Sequence, residues 1–301
     1  MKEIKLISAE SGIRIDIWVS LKLKEYSRNY INNLIENKLL LVNKKDIKPS
    51  YKIKVNDEIL VNIPEPQLLN IVSENINIPI LYEDDDIIVV DKPKGMVVHP
   101  AAGNYSGTLV NALLAHCKDG LSNINGIIRP GIVHRIDKFT SGIIVVAKNN
   151  NAHEKLSKLF KAHDIKRVYI AVVDGVIREE SGKIDAPIGR HSNFRKKMAV
   201  TLYNSKNAIT YFKVLKRFKN ATYIEVTLET GRTHQIRTHM SYIGFPLIGD
   251  TEYGNKRQKY GIEGQALHAK ILGFVHPRTN EYIEFEVEPP NCFKKLLVDI
   301  N

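Results

Sequence analysis

Residues 131–148 read "GIVHRIDKFTSGIIVVAK". The second half, Ile143-Ile144-Val145-Val146-Ala147, is a short β-branched run without polar alternation, the pattern of a strand covered on both faces. The first half, His134-Arg135-Ile136-Asp137-Lys138-Phe139-Thr140-Ser141-Gly142, sets a carboxylate between basic residues where that strand begins. Ionisable groups are costly to bring so close to an apolar core. The knot at the mouth of this strand is therefore a candidate site.

Outward from it, further strands recur. Ile87–Val90 precedes the turn "DKPKG", "IKRVYIAVVDGVI" ends at a Gly-containing turn, and Tyr223–Leu228 follows. Near the end, "EYIEFEVE" alternates, with Ile283, Phe285 and Val287 on one face. Helical spacing appears at Thr108–His116, with Leu109, Ala112 and Leu113 inward, and at Asn151–His163, where Ala152, Leu156, Leu159 and Phe160 share a face. Thr233 is placed to cap a helix that carries Arg237 and runs to Ile243, with Gly244 and Pro246 stopping it. Strands outnumber helices and do not alternate with them regularly enough for a doubly wound sheet. The pattern predicts an α+β fold: a mixed, largely antiparallel β-sheet with flanking helices.

A smaller α/β unit is predicted ahead of this body. Ser27 is placed to cap a helix whose apolar side is Tyr30, Ile31, Leu34 and Ile35. Strands are expected at Leu39–Val42, Tyr51–Ile53 and Glu58–Val61. Arg14, Lys22, Lys24, Arg28, Lys38, Lys44, Lys45 and Lys48 give it a basic side. Residues 62–78 hold two prolines and little periodicity and read as a linker. The expected domains are thus 1–75 and 79–301.

The 301 residues carry a formal net charge of +11, which favours a polyanionic partner, nucleic acid first. Two cysteines far apart build no disulfide framework or zinc spacing, in keeping with a reducing, cytoplasmic setting. The N-terminus has no apolar stretch for a signal peptide, and no segment is long enough to span a bilayer. No Gly-rich phosphate loop, His-Glu-x-x-His or Gly-x-Ser-x-Gly occurs. An enzyme built on this chain is expected to need neither metal nor organic cofactor.

Three polar clusters remain: the knot with Arg135 and Asp137, Tyr169 in "KRVYIA", and "ETGRTHQIRTHMSYIGFPLIGDTEYG" around Arg237. Each residue has a plainer reading. Asp137 alone fits a turn or cap aspartate, Tyr169 a core tyrosine with its hydroxyl at the edge, and Arg237 a structural ion pair.

Taken together the clusters have a pattern. "HRIDKFTSGIIVVAK" resembles the His-Arg-Leu-Asp-x-x-Thr-Ser-Gly signature of the large-subunit ribosomal pseudouridine synthases of the RluA/RluD type. "DKPKGMVVHPA", "KRVYIAVVDG", "KNAITYFKV", "LETGRTHQIRTHM", "PLIGDTEYG" and "QALHAKILGFVHP" follow in the same order, covering nearly everything from about residue 80 to 290. The head, with Arg14, Asp16, Arg28, Val42-Asn43 and "VNDEI", is similar to the RNA-binding domain of small-subunit ribosomal protein S-four.

The resemblance implies roles. Asp137 matches the essential aspartate and Arg237 the arginine that pairs with it. Tyr169 matches the tyrosine that packs on the target base, and Arg135 the arginine that fills the space left by a turned-out uridine. His134 and Arg232 beside the site, and Arg14, Arg28, Lys38 and Lys44 of the head, are expected to meet RNA. Two departures stand out: Ile136 replaces leucine, and Phe245-Pro246 stands where the family has His-Pro. The implied reaction is isomerisation of uridine to pseudouridine, in 23S ribosomal RNA or the pre-ribosomal large subunit, by a cytoplasmic monomer. Transfer RNA is the alternative substrate. A carboxylate taken out of water keeps its charge only against a neighbouring cation, so Arg237 is expected to touch Asp137. A non-catalytic ribosome-assembly factor and a glycosidase-like hydrolase are the rivals. The first would have no use for the intact Asp137, Tyr169 and Arg237 set, and the second needs another acid beside Asp137.

Overall fold

The computed structural model describes the chain except for residues 1, 24, 27, 64–70, 102, 118–119, 123, 125–128, 195–196 and 256–259. It divides into two compact units, residues 1–69 and 70–301. The expected cap at Ser27 lies outside the described residues.

The first unit comprises β1 (Lys2–Ile7), α1 (Ile15–Lys22), α2 (Arg28–Glu36), β2 (Leu40–Val42), β3 (Lys45–Asp46) and β4 (Glu58–Ile63). Its antiparallel sheet has the order β1-β4-β2-β3. Ile15, Trp18 and Val19 of α1 and Ile31, Leu34 and Ile35 of α2 pack on Leu40, Val42, Ile59 and Val61. The strand expected at Tyr51–Ile53 is reduced to a single bridge, Lys52 with Arg14. Ile53 exchanges both backbone bonds with Gly12 and Ile13 instead of the sheet. The Asp57 carboxylate then turns the chain by accepting from the Lys54 N–H and the Tyr51 hydroxyl.

The second unit is α+β. It holds β5 (Ile80–Glu83), β6 (Ile87–Lys92), α3 (Leu109–Cys117), β7 (Ser141–Ala147), α4 (Asn150–Ala162), β8 (Lys166–Asp174), β9 (Ser181–Asp185), β10 (Ile188–Arg190), β11 (Met198–Val200) and β12 (Ser205–Lys206). There follow β13 (Ile209–Arg217), β14 (Ala221–Leu228), α5 (Gln235–Tyr242), β15 (Leu267–Val275), β16 (Tyr282–Glu286) and α6 (Asn291–Asp299). Nine strands form one sheet in the order β5-β6-β7-β15-β8-β14-β13-β9, with β16 on β15. All its ladders are antiparallel except β7 with β15.

All seven residues of β7 are buried, because helices cover both faces. Ile144 and Val146 lie against Leu109, Val110 and Leu113 of α3, while Ile143 and Val145 lie against Ala152 and Leu156 of α4. Asn149 starts α4 by accepting the Ala152 N–H at 2.9 Å, and His163 ends it in the left-handed conformation. Gly142 permits the parallel seam: its φ is +112°, and a Cβ there would stand 2.2 Å from the Ala269 carbonyl oxygen. The helix α5 starts at Gln235, so Thr233 does not cap it. The chain enters α5 through His234 in the left-handed conformation, with no side chain capping it, and Gln235 Oε1 instead ties down the preceding loop by accepting from the Arg232 N–H and the Thr230 hydroxyl.

Candidate active site

Asp137 stands in the turn that feeds β7, and the turn is tied down from beneath. Its carbonyl accepts the Thr140 N–H at 3.0 Å. The next carbonyl, of Lys138, accepts the Gly95 N–H at 2.9 Å and the Lys92 ammonium at 3.2 Å. Lys92 is fully buried and also donates to the carbonyls of Pro93 and Met96, both at 2.8 Å. Burial pulls its pKa down to about 7, and the charge of Asp137 opposes that pull. Nothing in the sequence singles out Lys92, which follows Asp91 after the apolar run "IIVV" and reads as part of the turn "DKPKG".

Arg237 rises from the first turns of α5 and donates from Nη1 to Asp137 Oδ2 at 3.0 Å. The same guanidinium grips Asp250 through Nε at 2.6 Å and Nη2 at 3.0 Å, and reaches Glu252 through Nη2 at 2.7 Å. The charges of Asp250 and Asp137, and their hydrogen bonds, raise the Arg237 pKa against the opposing effect of burial. Two acids of the third cluster, Asp250 and Glu252, thus stand around the same guanidinium as Asp137. Asp250 is consumed as a support, since its Oδ1 also accepts the N–H groups of Glu252 and Tyr253.

A histidine completes the surround. His234 Nε2 lies 3.6 Å from Asp137 Oδ1, and its Nδ1 is 2.9 Å from the Tyr253 hydroxyl. That hydroxyl also accepts the Met198 N–H at 2.7 Å. Burial lowers the His234 pKa, with the Asp137 charge opposing. Arg237 also lies over the Tyr253 ring, 4.8 Å from its centroid.

Sheet register brings in Tyr169. Ala269 of β15 pairs with Gly142 on one side and Tyr169 on the other. Tyr169 thus stands two strand spacings, about 10 Å, from the start of β7. Burial, and the charge of Asp137, raise the Tyr169 pKa while Arg167 opposes, which keeps a neutral phenol beside the carboxylate. Arg135, Asp137, Tyr169, Leu228, Arg232 and His234 line both a tight recess of about 60 Å³ and a wider cleft of about 320 Å³.

The remaining expected residues are placed as follows. Arg135 is exposed, with Nη1 3.3 Å from His99 Nε2. Arg232 donates to the Asn207 carbonyl at 2.9 Å. His134 lines the cleft, but its Nε2 accepts the Val145 N–H at 3.0 Å and its ring stacks on Phe160 at 4.3 Å. Burial takes its pKa down to about 3, so His134 is a neutral strut of β7 rather than a cation for phosphate. In the other unit Arg14 and Arg28 share the buried Asp16 while keeping about half of each side chain exposed. Lys38 pairs with Asp46 at 2.9 Å, and Lys44 is exposed in the β2–β3 turn. Phe245 packs into the apolar cluster of α5 and β14, beside Gly175.

The matching family model, RNA pseudouridylate synthase, covers residues 86–242, and an S4 domain model covers residues 13–59. An RNA pseudouridine synthase of Bacillus subtilis is 49% identical over 100% of this chain and 99% of its own length. The ribosomal large subunit pseudouridine synthase D of Zymomonas mobilis is 43% identical over 99% and 98%, and that of Pseudomonas aeruginosa 41% over 95% and 91%. Among solved structures, human RNA pseudouridylate synthase domain containing 1 superposes with a TM-score of 0.61 at 27% identity, over 72% of this chain and 86% of that one. In sequence and in fold this chain belongs to the RNA pseudouridine synthase family, with an S4 RNA-binding domain at its head.

Proposed function

We propose that residues 79–301 isomerise uridines of the large-subunit (23S) ribosomal RNA and that residues 1–75 add affinity for that RNA. The observation that carries the chemistry is Asp137, open to a cleft on one side and held by Arg237 at 3.0 Å on the other. In the reaction the bond between ribose carbon 1′ and uracil nitrogen 1 breaks, and the base turns. A bond from carbon 1′ to carbon 5 then forms, the carbon 5 proton leaves, and nitrogen 1 takes up a proton. Nothing is oxidised or reduced. Asp137 supplies the carboxylate at carbon 1′ or the 2′ position. Tyr169 lies against the turned-out base near its carbon 5, and Arg135 swings from His99 into the space the base leaves. Turning the base out costs about a few kcal/mol, and stacking worth about 1–3 kcal/mol per base offsets part of it.

The names of the relatives in Zymomonas and Pseudomonas support the large subunit as the substrate. The two free cysteines are in keeping with the reducing, cytoplasmic setting proposed for the protein. The test uses 23S transcripts and transfer RNA tritiated at uracil carbon 5. Tritium release from the 23S transcript by the wild type, with none from Asp137→Asn, is expected. Release equal in the two proteins refutes the role of Asp137, and release from transfer RNA alone refutes the substrate.

A further inference from the structure

Arg167, the second residue of β8, is 6% exposed, yet it meets no carboxylate among the described residues. Its Nη2 donates to the carbonyls of Leu228 at 3.4 Å and Glu229 at 3.1 Å, and its Nε is buried without a partner. A Cβ at position 231 would come within 2.6 Å of Nη1, so Gly231 keeps that nitrogen's flank clear. Arg232 and His163 line the same cleft, and His163 Nδ1 is a second buried nitrogen without a partner. Burial lowers the Arg167 pKa, with Tyr169 opposing and Arg232 adding to the fall; burial, then the charges of Arg167 and Arg232, lower that of His163. The Glu229 charge opposes the fall at His163, but its carboxylate accepts the Tyr211 hydroxyl at 2.8 Å and makes no ion pair with Arg167.

A buried cation without a counter-ion is costly unless an anion arrives from outside. Every nucleotide step of an RNA strand carries one, and phosphate contacts fix the register of the strand on the protein. Arg167 and Tyr169 are two residues apart in β8, so their side chains leave the same face of the sheet. A nucleotide lying on Tyr169 sets its sugar-phosphate beside Arg167. We infer that Arg167, with Arg232 and His163 beside it, binds a backbone phosphodiester adjoining the turned-out uridine. The inference rests on the pseudouridine synthase reading. A guanidinium that only closed the end of β14 through two carbonyls would leave RNA affinity indifferent to the charge of that linkage.

The test replaces single phosphodiesters flanking the reactive uridine by neutral methylphosphonates in a tritiated RNA hairpin. Dissociation constants and tritium release are measured for wild type, Arg167→Gln and Arg167→Lys, each checked for folding by thermal melting. For the wild type, one flanking substitution is expected to weaken binding and raise KM about 10- to 100-fold, the range of a charged hydrogen bond. In Arg167→Gln the same substitution has less than about a twofold effect, with Arg167→Lys between the two. If Arg167→Gln melts early, the wild type and Arg167→Lys carry the comparison. Equal binding of neutral and charged linkages by the wild type overturns the inference, as does undiminished discrimination by Arg167→Gln. No tritium release from unmodified RNA counts instead against the pseudouridine synthase reading, and the binding ratio still decides the phosphate site.

Discussion

Arg237→Met removes one cation from three carboxylates whose side chains differ in exposure: Asp250 at 1%, Asp137 at 20% and Glu252 at 42%. Glu252 regains water and loses about 0–1 kcal/mol. Asp250 becomes a buried charge without a counter-ion, a loss of about 3–5 kcal/mol that dominates the total. Asp250→Asn alone weakens charged hydrogen bonds and costs about 1.5–3 kcal/mol, since an Asn oxygen still accepts the N–H groups of Glu252 and Tyr253. In the double variant neither buried charge remains. It is expected to be more stable than the sum of the single losses by about 2 kcal/mol, while activity stays absent because Asp137 still lacks its arginine. Urea unfolding of the four proteins at neutral pH measures the coupling, and tritium release measures activity. Losses that add to within about 0.5 kcal/mol refute the shared-cation account. So does a double variant that regains activity.

Two further outcomes are expected. His268 is fully buried, hydrogen-bonded to the Ser141 hydroxyl and the Val287 carbonyl, and burial lowers its pKa from 6.5 to about 4. The unfolded chain takes this proton near pH 6.5 and the folded chain only near 4, so stability falls with pH across that window, by about 3 kcal/mol in all. Unfolding measured from pH 7 to 4 should therefore show a flatter profile for His268→Gln, and identical profiles contradict the assignment. Lys44 has a φ of +63°, which asparagine tolerates. Lys44→Asn is expected to reduce the slope of log affinity for RNA against log salt by about 1 without changing stability, and an unchanged slope removes Lys44 from the RNA surface.

The site was legible where chemistry and chain order coincide. The β-branched run after Gly142 announces a covered strand, and a helix carrying Arg237 follows from the stops at Gly244 and Pro246. Asp250 was less visible, because "GDTEYG" reads as an ordinary turn until Arg237 is seen to face it. Lys92 and Arg167 were hidden for a related reason. Each is a cation at one end of a strand, and only the sheet shows that one end is buried. Thr233 was misread because local rules favour a hydroxyl as cap, whereas the chain enters the helix through a left-handed His234 that no side chain caps. His134 was expected to meet RNA beside Arg135, and only the structure shows its ring stacked on Phe160 and its Nε2 accepting the Val145 N–H. Tertiary contacts, not local pattern, decided each of these.

The seam at Gly142 also bears on when the protein becomes active during its own synthesis. Strands β7 and β8, which bring Asp137 and Tyr169, share no ladder; both pair with β15. Because β15 is translated last of the three, a chain still emerging holds the carboxylate and the tyrosine on separate pieces of unfinished sheet. Its S4 domain is complete long before that. On the roles proposed for Asp137 and Tyr169, a growing polypeptide therefore stays chemically silent until the strand that joins the two halves has been made.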